Sequence, residues 1–121
     1  MPNSDPTTAR QPGTDLRALK WSAKDKAVAR CAFDLALKQE LDNMLREVKD
    51  KVSSIEEASE LWELERWLAQ RRQKIDRQFD FRYSVLLHVF ASLLRERRLI
   101  DDDLQGLSQD KLTLIRQLAA R

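Results

Sequence analysis

The sequence predicts an all-α protein, and three observations carry that expectation. Leu, Ala, Glu, Lys, Arg and Gln dominate its 121 residues, and these side chains lose least freedom in a helix. Beyond position 13 there is no proline and one glycine, Gly106, so the turn chemistry that hairpins need is missing. Apolar residues recur at steps of three and four rather than two. A chain of this length fits one domain with a modest core.

Residues 1–20 hold all three prolines (Pro2, Pro6, Pro12) among Thr, Ser, Asn, Asp and Gly13. That mixture buries too little to repay its ordering entropy and reads as a mobile tail. Residues 21–121 read as the single helical domain. Ser22 is a plausible N-cap, and the helical pattern then runs to about Val52. Phe33, Leu37, Leu41, Met44, Val48 and Val52 form one stripe; Val28, Cys31 and Leu35 form a second. At ~1.5 Å per residue this helix is on the order of 45 Å long, more than a compact monomer of this size needs. Its length predicts packing against a second chain.

Ser54 and Glu57 read as a capping box for a second helix with Leu61, Leu64, Leu68 and Ile75 on one face. Arg71 and Arg72 fall near that apolar seam and need either ionic partners or a path to water. Asp80 is a candidate cap for a third helix, apolar on nearly every side from Val85 to Leu94, as expected of a core helix. With no Gly or Pro from Arg66 to Phe90, continuity of helices two and three stays open. Asp101 to Asp103 suit a helix start, Gly106 a stop, and Ser108 with Asp110 the opening of a last helix bearing Leu112, Ile115 and Ala119.

Function classes narrow quickly. The chain has no Gly-rich phosphate loop, no Cys or His pair at metal spacing and no nucleophile elbow. It is read as non-enzymatic, with no cofactor and no metal. His88, the sole histidine, lies inside the apolar run and is expected to be a core side chain. A lone Cys31 and the lack of an apolar leader or a spanning segment fit a reduced, cytoplasmic setting. The net charge of +2 from 22 basic and 20 acidic residues is too balanced for a dedicated nucleic-acid binder, which remains the third choice.

The remaining signal is a basic zone, Arg66, Arg71, Arg72, Lys74, Arg77 and Arg82 with Arg95, Arg97 and Arg98, beside Trp62 and Trp67. Arg and Trp are favoured interface anchors, so this zone points to a protein partner. The two tryptophans, five positions apart, face different sides of a helix.

Lys38-Gln-Glu-Leu-Asp-Asn-Met-Leu45, Leu61-Trp62, Leu64, Trp67-Leu68, Arg72, Ile75-Asp76, Phe79-Asp80, Arg82, Ser84-Val85, Val89-Phe90-Ala91, Leu93, Glu96 and Leu99 together resemble the fluorescence recovery protein family of cyanobacterial photoprotection. The resemblance runs from about Ala27 to the C-terminus. It implies a homodimer with a long helical stalk and a small helical head, dimerising through the long helices, with Leu41, Leu45, Val48, Leu61, Leu68 and Arg71 expected at the contact. It also implies binding to photoactivated orange carotenoid protein, mainly to its C-terminal domain. Return to the resting orange form is thereby accelerated and quenching at the phycobilisome ends. The family's partner-binding patch maps onto Trp62 and Arg72, with Glu65 and Arg66 between them. There the sequence departs from the family's usual His-Asp pair, which leaves a second expectation: the same dimeric scaffold serving another protein partner.

Overall fold

The computed structural model describes residues 19–121. The tail predicted over residues 1–20 lies outside the described residues except for Leu19 and Lys20. Leu19 packs half-buried against the core, and the Lys20 carbonyl accepts a hydrogen bond from Lys111.

Four α-helices and one short 3-10 helix make up the described residues: α1 (Ala23–Ser53), α2 (Glu60–Gln78), α3 (Leu86–Arg95), a 3-10 turn (Asp101–Leu104) and α4 (Gln109–Ala119). Helix α1 begins as the sequence predicts. The Ser22 hydroxyl accepts from the Asp25 amide, and the Asp25 carboxylate accepts from the Ser22 amide, closing a capping box that satisfies two otherwise unpaired donors. Its 31 residues span about 46 Å at the usual helical rise.

The start of α2 differs from expectation. Ser54 is the C-cap of α1, its hydroxyl donating to the Lys51 carbonyl, so the proposed Ser54–Glu57 box does not form. No side chain caps α2; Glu60 instead ties down the linker that precedes it. Its carboxylate accepts from the Glu56 and Glu57 amides, and those two bonds hold its pKa below the usual glutamate range.

Helices α2 and α3 are separate, and the boundary carries a pattern the helical reading passed over. Phe79, Phe81 and Tyr83 alternate, and in a non-helical segment alternate side chains fall on one side. They meet α1 and the Trp21 that precedes it as an aromatic row: Phe33 against Phe79 at 5.6 Å and Phe81 at 4.9 Å, Phe81 against Tyr83 at 5.5 Å, and Tyr83 against Trp21 at 5.0 Å. Asp80 caps no helix. It forms an ion pair with Arg82, which lowers the Asp80 pKa and raises that of Arg82, and α3 begins only at Leu86.

The core sits at one end of the molecule. Ala29, Ala32, Phe33 and Ala36 of α1 pack with Leu86, Leu87, Val89, Phe90, Ala91 and Leu93 of α3 and with Leu99, Leu104, Leu107 and Ile115. Helix α3 is thus the core helix that its composition predicts. His88 breaks the pattern: it is exposed, on the one side of α3 that faces water. Gly106 makes the turn before α4 with φ +105°, a conformation that L side chains rarely adopt.

A buried polar lock ties the two ends of this head together. Asp25, 4% exposed, accepts from the Ser108 amide and lies 3.3 Å from Lys111 Nζ. Burial pushes the Asp25 carboxyl up, but the bonds from Ser108, Ser22 and Lys111 outweigh it and leave the pKa below the aspartate value of 3.8. The other half of α1 pairs with α2 as a two-helix stalk, in which Ile75 is the one buried residue of α2.

Candidate functional site

Two helices in a pair cannot cover all of their apolar side chains, and the stalk leaves several bare. Leu41, Leu45 and Val52 of α1 and Leu61 of α2 are 48–53% exposed. Trp62 is 66% exposed, the largest such side chain among those described. Isolated exposed leucines are ordinary, whereas a cluster of them on one element marks a contact surface.

Trp62, Glu65, Arg66 and Arg72 all lie on α2, and helical spacing places Trp62, Glu65, Ala69, Arg72 and Asp76 along one side. Arg72 is open to solvent, 83% exposed, with Asp76 at 3.9 Å as its loose partner. Glu65, Leu68 and Arg72 border an open groove of about 610 Å³ whose other wall is Leu37, Leu41 and Met44 of α1. Arg66 faces elsewhere: with Trp67, Glu60 and Glu63 it lines a second groove of about 370 Å³ next to Lys51 and Ile55. The structure therefore brings Glu65 and Arg72 together and separates Arg66 from them.

Arg71 and Arg72, adjacent in sequence, behave oppositely. Arg71 turns inward, donating to Glu40 at 3.0 Å and to Glu47, with its guanidinium 5.2 Å from the Trp67 ring. Burial disfavours its charge, but the two carboxylates more than offset this and hold its pKa above the ordinary arginine value. The partner that this seam arginine needs is thus supplied by its own chain. Trp67 is half-buried between Lys51 and Arg71, a cation–π arrangement of ordinary strength.

The basic zone does not form one continuous surface. Arg71 and Arg98 point to Glu40, Arg82 to Asp80, and Arg95 to the Leu118 carbonyl. A phosphate-reading stripe needs its cations free and aligned, and these four of the nine are engaged within the chain. The acidic run is likewise structural: Asp103 accepts from the Ile100 amide, and Asp101 lies 3.9 Å from Arg116.

This helical arrangement and its exposed Trp–Arg face can be set beside known proteins. Residues 21–119 match the family model described as photoprotection regulator fluorescence recovery protein. The chain belongs to the fluorescence recovery protein family. It is 36% identical over 99 residues to the fluorescence recovery protein of Synechocystis sp. PCC 6803, covering 82% of this chain and 91% of that one. The solved fluorescence recovery proteins of Fremyella diplosiphon and Synechocystis superimpose with TM-scores of 0.79 and 0.79 at 38% and 35% identity. Both comparisons cover 84% of this chain and 100% of the other. The family is one of photoprotection regulators, and no described helix is long and apolar enough to cross a membrane.

Proposed function

We propose that this member of the fluorescence recovery protein family binds photoactivated orange carotenoid protein through the exposed side of α2 and speeds its return to the resting orange form. The observation that carries this reading is the pairing of a bare Trp62 with a solvent-exposed Arg72 on one helix face. Trp and Arg at the centre of a contact supply most of its binding energy. No covalent step is required. A protein that binds a return-competent conformation of its partner better than the activated one shifts the population toward rest.

The working unit is a homodimer made by the stalks. Leu41, Leu45 and Leu61, all half-exposed, supply the apolar contact, with Val48 and Leu68 beside them. Arg71, expected at that contact, already has its guanidinium engaged by Glu40 and Glu47. Leu45→Asp then weakens self-association by at least tenfold, read by sedimentation, because a charge would be driven into the seam.

The function is tested by mixing the protein with photoactivated orange carotenoid protein in the dark and timing the red-to-orange return. Acceleration supports the reading; an unchanged rate, with no complex formed by a folded protein, rejects it.

One observation favours a second reading, a different protein partner on the same scaffold. Glu65 places a carboxylate in the groove beside Arg72, and Arg66 puts a cation on the neighbouring face, where the family's usual pair is His-Asp. Like charges brought face to face lower both affinity and on-rate. If this is the obstacle, the Glu65→His, Arg66→Asp double variant gains activity that the parent lacks.

A further inference from the structure

Glu40 has no part in the exposed face, yet it is one of the most deeply buried charged groups described, 3% exposed. It stands on α1 where head and stalk meet, and each of its carboxylate oxygens serves a different element. Oε2 accepts from Arg71 of α2 at 3.0 Å; Oε1 accepts from Arg98, just past α3, at 2.5 Å. These partners lie 31 and 58 positions away in the chain.

Both arginines are aimed from outside the ion pair. Arg97 adopts φ +62°, the left-handed turn that ends a helix. The Arg98 amide donates back to the Leu93 carbonyl at 2.8 Å, which directs the next side chain toward α1. Arg71 is steadied on its far side by Glu47 and by the Trp67 ring. A carboxylate shared by two guanidiniums fixes direction as well as distance, which an apolar contact of similar size would not.

We propose that Glu40 is a positioning residue that locks the head to α2 and so sets the angle at which the stalk presents Trp62 and Arg72. The proposal rests on the functional reading above. Arg71 and Arg72 are successive residues, about 100° apart around the helix. Fixing Arg71 against Glu40 therefore fixes the rotation of α2 and the direction of Arg72. Through Arg98 the same carboxylate makes that rotation depend on the head.

The test uses the full chain and three variants: Glu40→Gln, Glu47→Gln, which loosens Arg71 alone, and Arg98→Met, which cuts only the head link. Amide hydrogen exchange is measured on the free proteins over residues 68–75 and 96–100. Acceleration of the dark red-to-orange return is titrated to saturation. Glu40→Gln is expected to speed exchange in both segments and Glu47→Gln in 68–75 only. Arg98→Met is expected to speed exchange in 68–75 although the Arg98 side chain forms its hydrogen bond with Glu40 of α1 and not with α2, and to raise the half-saturating concentration about tenfold. Concentrations are counted as folded protein, measured by circular dichroism, so that a loss of folded chain does not imitate that shift. If Glu40→Gln fails to fold, Arg98→Met alone decides.

Unchanged exchange over 68–75 in Arg98→Met overturns the coupling, as does an unchanged half-saturating concentration where the exchange has risen. If the parent protein does not accelerate the return, the recovery reading fails, and two-sided loosening in Glu40→Gln still supports the lock.

Discussion

Asp25 shows how much one side chain can hold. It caps α1, accepts from the amide that precedes α4 and neutralises Lys111, which is itself 2% exposed. Asp25→Asn leaves that ammonium buried without its countercharge, and the expected loss is about 3–5 kcal/mol in chemical denaturation at neutral pH. The pH dependence follows from the lowered pKa. The stabilisation is complete above the ordinary aspartate value of 3.8 and disappears as pH falls through the lower folded value. The gap between parent and Asp25→Asn should therefore shrink as the pH is taken to roughly 2. Gly106 is as demanding in backbone terms. An added Cβ would lie 2.8 Å from the Val28 side chain at φ +105°, so Gly106→Ala should cost about 1–3 kcal/mol in the same assay.

At the scale of elements, the chain end of α3 offers a prediction of opposite sign. Arg97 holds φ +62° where glycine is the usual occupant, and a left-handed conformation costs an ordinary residue about 1 kcal/mol. Arg97→Gly should stabilise by about 0.5–1 kcal/mol, a small rise in the melting midpoint, since the side chain is exposed. The helices themselves were legible because their signals are local. Ser22 announces α1, the three-and-four spacing marks its stripe, and Gly106 and Ser108 bracket the last turn. The misread boundaries, Ser54–Glu57 and Asp80, were places where a capping-type residue has two local uses. Ser54 closes the preceding helix and Asp80 prefers Arg82 two positions on. The row Phe79, Phe81, Tyr83 was visible as an alternation, but an alternation inside a helical sequence draws little notice without a sheet to join.

For the whole molecule, sequence and structure divide the information differently. The apolar pattern gives which residues are sticky, but only the fold tells which are left bare: Leu45 is bare because the core packs on the first half of α1 and not the second, and Leu61 and Trp62 stand at the start of α2, outside that core. His88 illustrates the reverse: an apolar neighbourhood in sequence did not imply an interior position. Arg71 and Arg72 could not be told apart from spacing. Their opposite fates depend on Glu40 and Glu47, which lie 31 and 24 positions away. The resemblance rests in part on Trp62 and Arg72, and the structure supplies what a string of matches cannot, the solvent exposure of both side chains.

The central claim, that the Trp62–Arg72 face performs the regulation, is tested most directly by the dark recovery of photoactivated orange carotenoid protein. The measurement compares the parent with Trp62→Ala, Arg72→Ala and Arg82→Ala, the last paired with Asp80 in the linker and off that face. Loss of an anchor worth about 2 kcal/mol corresponds to roughly a 30-fold weaker contact. The account predicts that the parent accelerates recovery, that Trp62→Ala and Arg72→Ala each need about that much more protein, and that Arg82→Ala behaves as the parent. Equal acceleration by all four proteins, or none by a folded parent, would contradict it.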